Sequence, residues 1–191
     1  MDYKVLPPGN KVPEEVYAII EIPKGEGRLK YEFRLNGMMI VDRIRGASQP
    51  MYPVHYCGMP ATQSTDGDPL DVLILGDDKL KTGDVIAVRP VAVFWMSDEK
   101  GPDPKIIAVP ADSVTDAYRH IKTLVDVPAA DRKEIETFFG HYKEGDLAGK
   151  FSSSGEWEDT AAAHSVIHDC IDRWNKAQAS PGPAKSQPLK P

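Results

Sequence analysis

Proline and glycine break the first two-thirds of this chain about every ten residues, with short β-branched runs between them. That rhythm leaves no room for long helices and suits short antiparallel strands. Val16 to Ile22 is bounded by Pro13 and Pro23. Tyr31-Glu32-Phe33 and Met38 to Val41 flank Asn36-Gly37, which predicts a hairpin with a two-residue turn. Val72 to Leu75, Val85 to Met96 and Ile106 to Val109 read as further strands. The last third is helical. Ile135, Phe138, Phe139 and Tyr142 recur at helical spacing, predicting a helix from Pro128 to about Glu144. Asp159-Thr160 caps a second, with Ala163, Ile167, Cys170, Ile171 and Trp174 as its apolar stripe. Asp112 to Ile121 reads as a shorter third helix. The expected fold is α+β: a small closed antiparallel β-barrel of the OB type, with two or three helices packed outside. Residues 1–177 form that domain, and 178–191 form a Pro-rich disordered tail that lacks the apolar residues to build a core.

Composition narrows the function. Lys and Arg number 23 against 29 Asp and Glu, a formal charge of −6, which argues against nucleic acid as a partner. Two cysteines with no CxxC pair rule out a disulfide framework and leave little for a thiolate zinc site. The N-terminus has no basic-then-apolar signal, and the Val85 to Met96 run carries Arg89 and Pro90, too short and too polar to span a membrane. The expectation is a soluble, cytoplasmic protein with no membrane partner.

The most informative segment is Asp66-Gly67-Asp68-Pro69-Leu70-Asp71. Three carboxylates this close repel one another unless a cation or water lies among them. Oxygen-only ligands suit hard cations such as Mg²⁺ or Mn²⁺. A solvated acidic turn is the plainer alternative. An EF-hand loop fails, because its fifth, sixth and twelfth positions hold Leu70, Asp71 and Asp77. A second acidic group, Asp98-Glu99-Lys100-Gly101-Pro102-Asp103-Pro104-Lys105, reads alone as an exposed hairpin tip. Beside the first group it reads as the second wall of a multi-metal site. Lys30, Arg43, Lys105 and Lys143 are candidate phosphate holders, although each alone also suits a surface charge. His164 and His168 lack a third ligand, and Cys57 reads as a small packing residue. Phe94-Trp95 reads as strand packing, and Trp157 and Trp174 as helix-packing anchors.

Seven segments carry a family resemblance: IEIPKG (20–25), KYE (30–32), VDR (41–43), YPVHY (52–56), DGDPLDVL (66–73), DEKGPDPK (98–105) and HYK (141–143). In that order, the chain resembles the soluble, magnesium-dependent, single-domain inorganic pyrophosphatases over residues 1–177. The resemblance implies hydrolysis of pyrophosphate to two phosphates by a metal-activated water. It implies Asp66, Asp71, Asp98, Asp103 and Glu32 as metal positions, and Asp68 as the carboxylate that orients and deprotonates the attacking water. It implies Lys30, Arg43, Tyr56, Lys105, Tyr142 and Lys143 around the substrate, with Glu21 and Glu99 in support. Several Mg²⁺ ions are implied, with Mn²⁺ or Zn²⁺ as substitutes, and a homo-oligomer, most often a hexamer, with His141 as a candidate interface position. The chain departs from the family's Asn-Tyr-Gly at His55-Tyr56-Cys57, and has Gly140 where an acidic residue is common. A non-catalytic barrel binding metal-nucleotide or polyphosphate is the rival reading, and a plain structural domain with an acidic surface the third.

Overall fold

A computed structural model describes residues 3–99, 101–143 and 152–179. Among these residues, nine strands and two α-helices follow one another in the order β1 (Val16–Ile22), β2 (Leu29–Phe33), β3 (Met39–Ile44), β4 (His55–Met59), β5 (Leu70–Ile74), β6 (Val85–Asp98), β7 (Gly101–Pro102), β8 (Lys105–Pro110), α1 (Ala129–His141), β9 (Ser152–Asp159) and α2 (Thr160–Ala179). The main sheet runs β1-β4-β5-β8-β6-β7, with β9 on β6, and β1 also pairs with β6. The pairings therefore return to β1, making a ring of strands within a mixed sheet. The fully antiparallel expectation fails at one place: β5 and β8 are parallel. Four antiparallel pairings, β5–β4, β4–β1, β1–β6 and β6–β8, lead round the ring, so β8 runs in the direction of β5.

The apolar runs are strands because both of their faces are covered. Every residue of β8 is buried. Alternation sends Ile107 and Val109 to one core with Leu73, Phe94 and the α1 residues Ile135, Phe138 and Phe139. It sends Ile106 and Ala108 to another with Val72, Ile74 and the α2 residues Ala163, Val166, Ile167 and Cys170.

Several local expectations need correction. Asp112 to Ile121 forms turns, not a helix. Arg89 on β6 organises that stretch, donating to the carbonyls of Tyr118 at 2.8 Å and Ile121 at 2.9 Å, and pairing with Asp112. The β2–β3 hairpin has a three-residue loop, Leu35-Asn36-Gly37, closed by Arg34 and Met38, with Gly37 at φ 84°. Trp157 does pack against a helix, but from β9: its ring meets Phe94 at 5.0 Å and its Nε1 donates to Glu136 of α1 at 2.9 Å. The expected tail falls largely on residues 180–191, which lie outside the described residues, and α2 runs on to Ala179.

Candidate active site

Asp71 and Lys105 stand in register across the parallel β5–β8 pairing. The Lys105 ammonium contacts Asp71 and lies 2.6 Å from Asp103. Tyr56 on β4 donates its hydroxyl to Asp71 at 2.5 Å, and Lys105 sits 5.7 Å from the centre of the Tyr56 ring. Lys105 is only 1% exposed, so it is no surface charge. Burial opposes its charge, but Asp103 and Asp71 hold its pKa well above the ordinary lysine value. Burial pushes Asp71 up to about 6, against the pull of Lys105 and with the help of Asp103.

The acidic turn comes next to this pair. Gly67 takes φ 93°, a conformation open to glycine, and lets Asp66 Oδ1 accept the Asp68 N–H at 3.1 Å. Thr62 fastens the turn to the sheet, donating to the Met59 carbonyl at 2.7 Å and accepting from Leu70 N–H at 3.0 Å. Thr65 donates to the Pro102 carbonyl at 3.2 Å, which lays the turn against the β6–β7 tip. The two acidic segments are therefore neighbours. On the far side of that tip, Lys143 donates to Asp98 and to Glu99, at 2.7 Å each. Tyr142 precedes it, and burial raises the pKa of its phenol.

The β2–β3 hairpin supplies the basic rim. Lys30 and Arg43 are opposite one another in its register. Lys30 lies 3.4 Å from Asp42 and 4.0 Å from Glu32, and Arg34 lies 2.9 Å from Glu32. Burial raises the pKa of Glu32, and the charge of Asp68 adds to the rise. Glu21 on β1 is buried and accepts the Phe33 N–H at 2.9 Å, tying the hairpin to the ring. Burial raises its pKa well above the carboxylate range, and Asp71 adds to that.

Among the described residues no three His, Cys, Asp or Glu side chains are gathered as a ready metal cluster. Asp71 and Asp103 converge on the Lys105 ammonium, which balances part of their charge. The donor set is all oxygen and fits a hard divalent ion. Asp66 and Asp68 share the turn, and Asp98 pairs with Lys143. His164 and His168 lie partly buried and exposed on α2.

Residues 18–175 match the family profile Pyrophosphatase, described as inorganic pyrophosphatase. The chain belongs to the inorganic pyrophosphatase family. It is 39% identical to the inorganic pyrophosphatase of Yersinia pestis over 177 residues, 92% of this chain and 100% of that one. It is 39% identical over 177 residues to that of Aquifex pyrophilus, covering 92% of this chain and 98% of the other. The crystal structure of inorganic pyrophosphatase from Thermus thermophilus superposes with a TM-score of 0.81 at 39% identity, over 92% of this chain and 99% of that one.

Two departures of this inorganic pyrophosphatase family member now have a place. Cys57 is an ordinary buried β4 residue without positive φ, so its backbone needs no glycine. His55 is buried, and its Nδ1 accepts the Lys24 N–H at 3.1 Å. Sequence reasoning assigned no role to Asp42 or Arg34, which bracket the hairpin cations. Their alternation with Arg43 and Glu32 on paired strands was the available signal. Among the described residues no helix is long and apolar enough to cross a membrane.

Proposed function

We propose that this chain hydrolyses inorganic pyrophosphate to two phosphates in a magnesium-activated site. The observation that carries this is the buried Asp71–Lys105–Asp103 arrangement, set between an acidic turn and a rim of lysine, arginine and tyrosine. Asp66, Asp71, Asp98, Asp103 and Glu32 would hold the divalent ions. Bound there, Mg²⁺ would supply charge neutralisation and acidify a water. Mn²⁺ or Zn²⁺ are expected substitutes.

The chain's own groups do the positioning that phosphoryl transfer demands. Asp68 orients the attacking water and takes its proton. Lys30 and Arg43 hold one phosphate from the hairpin, and Tyr142 and Lys143 hold the other, with Tyr56 and Lys105 between them. Lys143 rests on Asp98 and Glu99, and its ammonium would meet phosphate from that position. Glu21 and Glu99 support these groups from behind. Burial keeps both phenols protonated as donors: Tyr56 donates to Asp71, and Tyr142 would donate toward developing negative charge.

In this reading the ring of strands is a closed barrel, and the catalytic domain extends through α2 to Ala179. The protein works in the cytoplasm as a homo-oligomer, a hexamer by the family resemblance. Phosphate release from pyrophosphate, measured with Mg²⁺ and with chelator, tests the reaction, with ATP as control substrate. Rapid Mg²⁺-dependent release from pyrophosphate and little from ATP is expected. No release above background overturns the reading and favours a binding module.

A further inference from the structure

Arg45 follows β3, is 2% exposed and, among the described residues, has no carboxylate partner. Its Nη1 donates to the carbonyls of Gly27 at 3.2 Å and Pro50 at 3.0 Å. Its Nε and Nη2 are buried with no hydrogen-bond acceptor among the described residues. The guanidinium carbon lies 5.1 Å from the centre of the Tyr52 ring and 5.8 Å from that of Phe138. The Tyr52 hydroxyl is itself buried and unpartnered.

This contrasts with Lys30, Lys105 and Lys143, each of which lies against carboxylates. A buried charge without a counter-charge is costly, and two carbonyl bonds could be made by a neutral amide. The position of the charge is informative. The Arg45 N–H donates to the Arg28 carbonyl at 2.9 Å, which ties it to the hairpin where Lys30 faces Arg43, and Tyr52 feels the charge of all three. The Tyr52 ring packs on Tyr56 at 5.4 Å, and Phe138 stacks on Tyr142 at 5.7 Å, so the aromatic wall that encloses Arg45 carries two of the proposed substrate tyrosines.

We infer that Arg45 is a positioning residue of the phosphate site: its uncompensated charge, set behind Tyr52 and beside Lys30 and Arg43, strengthens phosphate binding on the hairpin side without touching the ligand. This rests on the pyrophosphate reading above. A unit charge about 10 Å away, at an effective dielectric constant near 20, alters affinity by roughly an order of magnitude.

The test titrates inorganic phosphate into the full chain with Mg²⁺ by calorimetry, for wild type, Arg45→Gln, Arg45→Met and Arg45→Lys, and measures kcat and KM for pyrophosphate. Gln removes the charge and leaves a neutral amide, shorter than the guanidinium, near those carbonyls, so it carries the test even where Met does not fold. Arg45→Gln is expected to weaken phosphate binding and raise KM about tenfold, with kcat within about threefold and recovery in Arg45→Lys. Wild-type phosphate affinity should also fall more steeply with added KCl than that of Arg45→Gln. Unchanged phosphate affinity in Arg45→Gln overturns the inference, as does an Arg45→Lys variant no better than Gln. A wild type that binds phosphate but leaves pyrophosphate intact defeats the proposed reaction, while the titration still judges Arg45.

Discussion

Asp71 and Lys105 meet across the one parallel strand pairing among the described residues, with the lysine ammonium shared between Asp71 and Asp103. Lys105→Met leaves both carboxylates without it. In chelator, unfolding by denaturant should show a loss of about 3–5 kcal/mol, the usual result of removing one partner from a buried ion pair. Added Mg²⁺ should recover part of that loss. Unchanged stability means the ammonium does not hold the carboxylates together.

Asp71 also sets a pH dependence. Its folded pKa of about 6 lies above its ordinary 3.8. The group's contribution to stability is therefore complete below pH 3.8 and is lost as pH rises through about 6. In metal-free buffer the wild type should lose about 3 kcal/mol relative to Asp71→Asn between pH 4 and pH 7. Urea unfolding across that range measures it. A constant difference between the two proteins contradicts the assignment.

Gly58 opposes Asp71 in the β4–β5 register, and a Cβ there would lie 2.9 Å from Glu21 Oε1 and 3.1 Å from the Phe33 ring. Gly58→Ala should cost about 1–3 kcal/mol by overpacking and loosen the hairpin that bears Lys30 and Arg43. Thermal unfolding and KM are the measurements. If neither changes, β1 and the hairpin are not tightly joined through Glu21.

Much of this was legible in the sequence because its signals were local. Ile135, Phe138, Phe139 and Tyr142 lie on one helical face and are all buried. The acidic turn is a turn because Gly67 and Pro69 make it one. What stayed hidden depends on distant partners. Ser152 to Asp159 is polar and lacks strand alternation, and β6 recruits it by pairing. Asp112 to Ile121 has the composition of a helix, but Arg89, far away in sequence, takes up its carbonyls. The depth of Lys105 follows from the parallel pairing with β5, which no local pattern announces. Arg45 looks like a surface charge until Tyr52 and Phe138 close over it.

Asp68 is held in its turn by Asp66 Oδ1 and by Ser64, whose N–H donates to the Asp68 carbonyl at 2.8 Å. These bonds use the Asp68 backbone, so Asp68→Asn should keep the fold. Turnover of pyrophosphate should fall by roughly two to four orders of magnitude, the usual loss on removing a general base. Steady-state kcat beside a thermal unfolding curve checks both halves. Undiminished kcat removes Asp68 from the reaction.

The most direct test of the site is divalent-ion binding to the wild type, Asp71→Asn and Asp103→Asn, with Mn²⁺ followed by electron paramagnetic resonance and Mg²⁺ by competition. Saturable binding to the wild type, weakened at least about tenfold in each variant, is the predicted result. A wild type that takes up no divalent ion, or variants that bind as it does, would contradict it.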